Sequence, residues 1–545
     1  MLQETLIVNG QVHTMSPLGT LHGAAVALRD GRVVGVGPEE AMRALLGRSV
    51  LRVDAQGGSV VPGFTDSHIH LTAFALRTVQ VDLRDTQDLR EALERVRVRA
   101  ESLPPGTWVV GGGFDRNRWT GEAPTAAALD RVAPHHPVAL GSKDGHQVWV
   151  NTLALELAGL ASGTDVPGGV VELDETGRPT GILKERAAER VWQVVREPDL
   201  PTLRELILRA QERLHALGIT GVHVPEGATA FRLFQSLARS GELALRVTFM
   251  PPVQALGAAV ELGLQDGFGD HVLRVGPVKI FADGALGSQT AAMLEPYLGR
   301  EADGYQGVVT TEPDRLGELV AQAVQAGLAV AIHAIGDRAN RMALDALEPW
   351  LFQSRRRGLR HRIEHAQLVD PKDRPRFGHL GVVASVQPIH GPHDRELVLR
   401  HWGARRAGYA HAWRSLRAAG ARLAFGSDAP VESPDPLLGL YAALTRRLPG
   451  EDAPPLEEYE ARERLTLQEA LEGYTTGAAY ASGEEGFKGS LEPGKAADVV
   501  ILSHDLSTLP LDAWGELTVR GTVWNGRLVY QKPDLPVEMD VRVGS

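Results

Sequence analysis

Residues 60–70 read VVPGFTDSHIH, an apolar run that ends in two histidines separated by one residue. A short apolar run of this kind predicts a buried strand. Alternate positions on a strand point to the same face, so His68 and His70 can converge on one metal ion. The pair alone also fits two structural histidines that are satisfied by local hydrogen bonds. Residues elsewhere in the sequence are needed to distinguish a metal site from two structural histidines.

Seven further apolar runs follow along the chain. They lie at residues 219–224, 245–250, 275–281, 329–333, 361–365, 382–387 and 423–428. Amphipathic helical patterns separate most of them, as at residues 203–217, 315–326 and 338–351. The alternation of strands and helices predicts an α/β fold with a parallel sheet. Eight such units favour a closed (β/α)8 TIM barrel over an open sheet.

One long stretch interrupts this alternation between the first and second runs. Residues 72–218 are far too many for a single crossover helix. We therefore predict an inserted subdomain after barrel strand 1, at about residues 85–185. An insertion at this point would sit over the mouth of the barrel, where it can shape a substrate pocket.

Both chain ends carry short strand patterns and turn signals. They lie at residues 5–15, 24–36 and 50–61, and again at residues 497–502 and 517–530. Asp30-Gly31 and Asn525-Gly526 are typical hairpin turns. We predict a composite β-sandwich domain built from residues 1–60 and 487–545, which leaves residues 61–486 for the barrel.

Composition excludes several kinds of site and partner. The 545 residues are 43% hydrophobic and 23% charged, as in an ordinary globular protein. The net charge of −11 gives no basic footprint for nucleic acid. Cysteine is absent, so a metal has to bind His, Asp, Glu or a modified Lys. We find neither a secretory leader pattern nor a membrane span, and we expect a cytoplasmic enzyme.

Polar side chains close four more of the apolar runs. Lys279 lies within PVKIFADG, His333 within AVAIHAIGD, His365 within RIEHAQ and Asp428 within LAFGSDAP. Active sites of such barrels lie at the carboxyl ends of the strands. A lysine among apolar residues is costly as an unpaired cation. It could be neutral, paired with a carboxylate, or converted by carbon dioxide to an anionic carbamate.

Together with His68 and His70, these residues favour a shared metal centre over separate structural roles. Four His, one Lys and one Asp suit zinc, manganese, iron or nickel. Of these we expect zinc, with one or two ions per chain.

The motifs identify a resemblance that covers essentially the whole chain. VVPGFTDSHIH, VKIFADGALGSQTA, HAIGDRA, RIEHAQ, FGSDAPV and GSLEPGKAADVVIL are similar to those of the amidohydrolase superfamily. Within it, the chain resembles the family-3 branch of N-substituted formamide deformylase-like proteins. The resemblance implies that His68 and His70 bind the more buried metal beside Asp428. It further implies that Lys279, carboxylated, bridges to a second metal held by His333 and His365.

The resemblance also implies a reaction. Metal-activated hydroxide would attack a carbonyl carbon, while Asp428 takes the proton and returns it to the leaving nitrogen. We predict cleavage of a C–N bond in a small-molecule amide, formamide or cyclic amide. The alternatives are an esterase, lactonase or deaminase on the same metals, or a non-catalytic binding protein on the barrel scaffold. By resemblance only, we also expect a homodimer.

Weaker candidates surround this set. His146, Glu185 and Gln387 are candidate substrate contacts, although His146 is equally well a structural histidine and Glu185 a solvated residue at a helix start. The remaining expectations concern supporting roles. Asp66 would orient the histidine pair, and Asp337 and Arg338 would orient His333. His361 and Glu364 would pack or pair around strand six, and Gly284 and Gly287 would serve turns. The pocket would be lined by Trp119, His390, His393 and Trp413.

Overall fold

Strands and helices alternate through the middle of the chain in a computed structural model, which confirms the α/β class. The structure describes residues 4–84, 86–116, 119, 122–160, 164–195, 199–451 and 457–542. Within these ranges the strands, in chain order, are β1 (Thr5–His13), β2 (Thr20–Arg29), β3 (Arg32–Gly37), β4 (Ser49–Asp54), β5 (Ser59–Pro62), β6 (Phe64–Asp66), β7 (Val81–Asp82), β8 (Val109–Phe114), β9 (Val138–Ser142), β10 (Gln147–Val150), β11 (Gly169–Leu173), β12 (Pro179–Glu185), β13 (Ile219–Val224), β14 (Arg246–Phe249), β15 (Leu273–Val275), β16 (Val278–Phe281), β17 (Val330–Ala334), β18 (Arg362–His365), β19 (Val383–Val386), β20 (Arg422–Phe425), β21 (Val499–Leu502), β22 (Val519–Trp524), β23 (Arg527–Gln531) and β24 (Val537–Val541).

The α-helices of the same ranges surround these strands. They are α1 (Glu39–Ala44), α2 (Leu71–Leu76), α3 (Leu89–Glu101), α4 (Ala126–Val132), α5 (Thr152–Leu157), α6 (Arg186–Val194), α7 (Leu200–Ala216), α8 (Ala228–Ser240), α9 (Leu256–Glu261), α10 (Pro313–Ala326), α11 (Asp337–Leu347), α12 (Leu351–Arg357), α13 (Arg374–Leu380), α14 (His390–Leu397), α15 (Gly403–Ala407), α16 (Trp413–Ala418), α17 (Pro436–Thr445), α18 (Glu458–Arg462), α19 (Leu467–Tyr474) and α20 (Thr476–Ala481).

Local sequence signals explain where these helices begin and end. The Asp199 side chain accepts a hydrogen bond from the Thr202 amide at the start of α7. Thr466 and Glu469 form a reciprocal capping box at the start of α19. Helix α10 ends at Gly327, whose φ of 82° is left-handed and therefore easy for glycine. None of the helices among the described residues is long and apolar enough to cross a membrane.

Two parallel sheets form the centre of the molecule. Their strand orders are β15-β14-β13-β6 and β16-β17-β18-β19-β20. Backbone hydrogen bonds also link the two sheets at both ends, from Lys279 to Pro251 (2.9 Å) and from Ser67 to Phe425 (2.8 Å). The apolar faces of helices such as α7, α8 and α10 pack against these strands in one large core.

The predicted single strand at 275–281 is wrong in detail. The structure divides it between β15 and β16, with Gly276 and Pro277 in the gap. Pro277 has no backbone N–H and cannot donate to a strand ladder, which gives a physical reason for the interruption. The predicted hairpins at Asp30-Gly31 and Asn525-Gly526 are confirmed by the pairs β2–β3 and β22–β23.

Strands from both termini share one nine-stranded sheet. Its main order is β23-β22-β21-β5-β1-β2-β3, while β4 pairs with β1 and β24. Between β6 and β13, the chain forms a separate six-stranded sheet in the order β11-β12-β10-β9-β8-β7. This inserted sheet has apolar clusters of its own on its two sides. Residues of this inserted sheet reach the carboxyl ends of the parallel strands, where the His146 ring lies 5.0 Å from the His333 ring.

Candidate active site

The six predicted ligands come together at the carboxyl ends of the parallel strands. His68 and His70 follow β6, Lys279 is in β16, His333 is in β17, His365 ends β18 and Asp428 follows β20. The register places His333 beside Phe281 and His365 beside Ala334 on the neighbouring strands. Because parallel strands end at the same edge, residues distant in sequence meet there.

Ligand atoms of His68, His70 and Asp428 all lie within 4.8 Å of one another. The Asp428 carboxylate is 3.5 Å from His68 Nε2 and 3.3 Å from His70 Nε2. Lys279 Nζ lies 3.4 Å from His68 Nε2. The rings continue outward, with centroids 5.0 Å apart for His68 and His365 and 4.5 Å apart for His365 and His333.

His68 is held by a fully buried ion network. Its Nδ1 lies 2.5 Å from Glu364, and Arg362 donates to the same carboxylate from 2.7 Å. Burial and the nearby Lys279 lower the pKa of His68 to about 4, despite Glu364. The imidazole is therefore neutral at pH 7, with Nδ1 occupied and Nε2 facing Lys279 and Asp428. The expectation that Glu364 pairs around strand six is confirmed, and its partner is a predicted ligand.

Asp428 is positioned by backbone geometry and by Asp66. Its amide donates to the His68 carbonyl (2.7 Å), and its φ is 61°. Asp66 accepts hydrogen bonds from the amides of His68 (3.1 Å) and Ser427 (3.0 Å), which confirms its predicted orienting role. Burial raises the pKa of Asp428, but hydrogen bonding from His70 and the nearby imidazoles outweigh it and lower the pKa well below the usual value.

The outer histidines are oriented by different partners. His365 Nδ1 lies 2.9 Å from Gln387 Oε1, so Gln387 is a neighbour of a predicted ligand and is 2% exposed. His333 Nε2 lies 3.1 Å from the Gly284 carbonyl and 3.7 Å from the Asp283 carboxylate. Burial lowers the pKa of both imidazoles well below the ordinary histidine value, which leaves them neutral.

Lys279 is 3% exposed and lies among groups of both charges. Burial lowers its pKa to about 8, against the opposing pull of Glu364 and Asp428. A lysine with this pKa has a neutral amine fraction near pH 7, and the neutral amine is the form that reacts with carbon dioxide. The structure therefore keeps both the free amine and the carbamate chemically accessible.

The inserted sheet contributes His146 and Glu185. His146 Nδ1 lies 2.9 Å from Glu185, and the His146 ring is 5.0 Å from the His333 ring. Glu185 also accepts a hydrogen bond from Thr290 (2.5 Å), and it is 8% exposed rather than solvated. Although burial opposes it, Glu185 raises the pKa of His146 to about 9.

Three candidate site residues have left-handed backbone conformations. Glu185, His365 and Asp428 all have positive φ values, of 51°, 73° and 61°. Such conformations cost a non-glycine residue roughly 1–3 kcal/mol each and persist where the surroundings hold them in place. Their presence at three candidate site residues is typical of a functional site.

Two buried groups escaped the sequence interpretation. Asp283 is fully buried and accepts hydrogen bonds from the amides of Ala292 (2.8 Å), Ile335 (3.0 Å) and Gly336 (2.8 Å). Burial raises its pKa to about 7 despite these donors. Its place directly after a strand was the signal that could have identified it. Arg362 starts β18, and only the three-dimensional contact with Glu364 shows its role.

Several supporting roles were predicted wrongly. Asp337 accepts from the Leu294 and Arg338 amides, whereas Asp283 is the carboxylate near His333. Gly284 has no positive φ and instead makes room, because a Cβ there would lie 2.2 Å from Glu185 Oε1. Gly287 does lie in a turn, as predicted, and a Cβ there would be 2.8 Å from the Asp144 carboxylate.

The tryptophans expected in the pocket belong to the packing. Trp119 lies against Phe114 and Trp149 and donates to the Thr86 carbonyl. Trp413 is fully buried beneath the Arg446 guanidinium. Aromatic residues in loops do not reveal from sequence whether they face a ligand or the core. His361 packs as expected, with its ring nitrogens bonded to Ser354 and to the Val330 amide.

Two cavities meet at the histidines. A larger one of about 460 Å³ includes His68, His70, Lys279 and Asp428 in its wall. A smaller one of about 90 Å³ extends past His333 and His365 to His390 and His393, which confirms the last two as pocket residues. His146 lies in the walls of both. The inserted sheet and the parallel strands thus enclose the candidate ligands together.

The donor set fits a divalent metal. It combines neutral imidazoles, an ionised carboxylate and a lysine in one buried group. His68 and His365 each hold one ring nitrogen against an oxygen acceptor, which is how metal-binding histidines are usually oriented. Each of these rings keeps its Nε2 available for an ion.

Comparisons with known proteins agree with this chemistry. A family model described as the amidohydrolase family matches residues 52–530. The protein LONG AFTER FAR-RED 3 of Arabidopsis thaliana is 35% identical over 92% of this chain and 87% of its own length. The N-substituted formamide deformylase of Arthrobacter pascens is 29% identical over 97% of this chain and 99% of its own. The crystal structure of an uncharacterised metal-dependent hydrolase from Pyrococcus horikoshii OT3 superposes with a TM-score of 0.76, at 30% identity, over 93% of this chain and 99% of that one.

Proposed function

The chain belongs to the amidohydrolase family, and from that premise we propose that it is a metal-dependent hydrolase of amides, formamides or cyclic amides. Family membership supports metal-dependent hydrolysis of C–N bonds. The observation that carries the proposal is the convergence of His68, His70 and Asp428 with Lys279 at the wall of a cavity large enough for a small molecule.

The proposal includes a finer architecture. The two parallel sheets would form a (β/α)8 barrel, and the hydrogen bonds that link β16 and β6 to the opposite sheet support closure. The terminal strands would form a β-sandwich from residues 1–60 and 487–545. Residues 61–486 would then be the barrel domain, with the insertion at about 85–185 covering its mouth.

We assign the metal ligands on the same basis. His68, His70 and Asp428 would hold one zinc ion. Lys279, as a carbamate, would bridge to a second ion held by His333 and His365. The lowered pKa of Lys279, to about 8, supports the carbamate because it favours the reactive amine. With one metal only, Lys279 would remain an unmodified amine.

The residues then divide the reaction between them. A bound divalent metal supplies a hydroxide nucleophile at neutral pH by lowering the pKa of water from about 15.7 toward 7. Asp428, ionised because its pKa is lowered, accepts the proton of the attacking water and delivers it to the leaving nitrogen. His146, protonated because its pKa is raised to about 9, donates a hydrogen bond to the carbonyl oxygen as negative charge develops there. Glu185 holds the His146 ring in place.

Metal analysis of protein purified without chelators, combined with a panel of N-formyl and N-acyl amines, tests the proposal. We expect one to two equivalents of zinc-like metal and turnover of at least one amide. Asp428→Asn should lower kcat by at least 10²- to 10⁴-fold, because it removes the proton acceptor. Asp337→Asn is the matched control and should leave kcat near the wild-type value, since Asp337 bonds only backbone amides.

Each other outcome points to a different alternative. Metal without amide turnover, but with ester or lactone hydrolysis or with deamination, would assign the same centre to another reaction. Protein that binds no metal after reconstitution and turns over no substrate would contradict the proposal and favour a binding protein.

A further inference from the structure

We propose that the larger cavity contains a carboxylate-binding site at Arg77, so that the substrate is an amide bearing an anionic group remote from the scissile bond. The inference rests on the proposed function, because it names the class of amide that the site would accept. Arg77 lines the same cavity as His68, His70 and Asp428.

Arg77 stands at a defined distance from the metal centre. Helix α2 runs from Leu71 to Leu76, so it begins directly after His70, and Arg77 is its C-terminal cap. At about 1.5 Å per residue, the backbone positions of His70 and Arg77 are roughly 10 Å apart. A ligand that reaches from one to the other therefore needs a spacer of several bonds.

The Arg77 guanidinium has no hydrogen-bond or ion-pair partner among the residues that the structure describes, and its Nη1 atom is buried. Asp82, a nearby carboxylate, is already engaged by Arg84. Burial accordingly lowers the pKa of Arg77, and Arg84 adds to this effect while Asp82 opposes it. A charge taken partly out of water without a partner is costly unless a ligand compensates it.

The fold makes room for this cation. A Cβ on Gly112 or Gly113 would lie only 2.8 or 3.2 Å from Arg77 Nη1. The absence of side chains at Gly112 and Gly113 thus allows β8 to approach the guanidinium. An anion would reach Arg77 from the open side of the cavity, since the glycine side is closed.

Other cations in the cavity wall are already engaged. Lys143 pairs with Glu432 at 2.7 Å, and Arg186 donates to the Thr310 carbonyl at 2.8 Å. Lys279 belongs to the metal centre. Among the described residues, Arg77 is therefore the cation of this wall whose side chain makes neither a hydrogen bond nor an ion pair.

The wall of the same cavity also includes apolar side chains. Leu76, Val110 and Trp192 contribute from α2, β8 and α6. An apolar spacer matches this wall, and a carboxylate matches the planar fork of the guanidinium. The combined chemistry is that of an N-acyl or N-formyl ω-amino acid, with its amide at the metals and its carboxylate at Arg77.

A matched pair of substrates tests the site. N-formyl-6-aminohexanoate and N-formylhexylamine share the formamide and a chain of five methylenes, which ends in a carboxylate in the first and in a methyl group in the second. We expect the wild-type protein to prefer the hexanoate. The Arg77→Met variant should have a kcat/KM for N-formyl-6-aminohexanoate that is roughly 10- to 100-fold lower than that of the wild type, because it loses a hydrogen bond to a charged group. Its kcat/KM for N-formylhexylamine should be unchanged. Arg77→Lys should restore part of the preference.

Arg97→Met is the control for loss of a positive charge. Arg97 lies on the exposed face of α3, paired with Glu94 and Glu101. The Arg97→Met variant should keep the wild-type ratio of kcat/KM for the two substrates. Equal turnover of both amides, insensitive to Arg77, would overturn the carboxylate site and leave the proposed function standing.

Turnover of neither amide would instead count against the proposed function. In that case the probe is the simple carboxylate hexanoate, without an amide. The measurement is the rise in the thermal unfolding temperature of the protein when hexanoate is added. Protection that is lost in Arg77→Met but kept in Arg97→Met would support the site without any catalysis. Absence of protection in the wild type would contradict it. Should Arg77→Met fail to fold, Arg77→Gln replaces it in both measurements.

Discussion

At the scale of single residues, Glu364 shows how the buried strands position a predicted metal ligand. It is fully buried between His68 and Arg362, and burial alone would protonate it. The positive charge of Arg362 and the bond to His68 keep its pKa well below the usual value. An ionised acceptor at Nδ1 fixes the His68 tautomer with Nε2 unprotonated, which is the form a metal requires.

This arrangement predicts the effect of Glu364→Gln on metal binding. The neutral amide is a weaker acceptor and leaves Arg362 uncompensated, so we expect metal affinity to fall roughly 10- to 100-fold. Competition with a chromogenic chelator measures it. Glu469→Gln, at a half-buried glutamate in the capping box of α19, is the control. Affinity equal to wild type in Glu364→Gln, with the fold intact, would show that His68 is not a ligand.

At the scale of secondary-structure elements, Glu484 links the chain after α20 to β15. It is 3% exposed and contacts Lys488 (2.9 Å), Arg274 (3.3 Å) and Ser482 (2.9 Å). Burial raises its pKa, but the charges of Lys488 and Arg274 outweigh it and lower the pKa to about 2. In the unfolded chain a glutamate titrates near 4.5.

Stability should therefore depend on pH in a defined window. Because the folded pKa is the lower one, the stabilisation is present above about pH 4.5 and is lost as the pH falls toward about 2. Its full size is on the order of 3 kcal/mol. Urea unfolding of the wild type and of Glu484→Gln should differ most above pH 4.5 and converge as the pH approaches 2. A constant difference across this range would contradict the assignment to Glu484.

The same scale shows what sequence patterns can and cannot predict. The strands β13 and β17 were predictable because a short run of consecutive apolar residues is typical of a strand that is buried on both faces. Polar residues that follow such runs identified the side chains that come together as candidate ligands. His146 and Glu185 were only candidates, because their pairing joins residues 39 positions apart within the insertion. The prediction that Trp413 lines the pocket was wrong, because the burial of an aromatic side chain depends on neighbours that no local pattern reveals.

At the scale of the whole molecule, the terminal sheet and the parallel strands are joined by a buried ion pair. Arg246 in β14 bonds Asp498, just before β21, at 2.5 and 2.9 Å, and the side chains are 3% and 6% exposed. Asp498 also accepts from the Asn525 amide (2.9 Å), at the turn between β22 and β23. One carboxylate thus connects a strand of the central core to two places in the terminal sheet.

Removal of one partner should weaken this connection more than removal of both. Asp498→Asn leaves the Arg246 charge buried and uncompensated, so we expect a loss of about 3–5 kcal/mol in the free energy of unfolding. Arg246→Met should cost a comparable amount, while the double variant should cost clearly less than the sum, because no buried charge then remains. Calorimetry of the four proteins measures the coupling. If the pair holds the two sheets together, the single variants should also unfold in two transitions, with the terminal sheet melting first. Strictly additive losses and one shared transition would show that apolar packing, and not this ion pair, joins the two parts of the molecule.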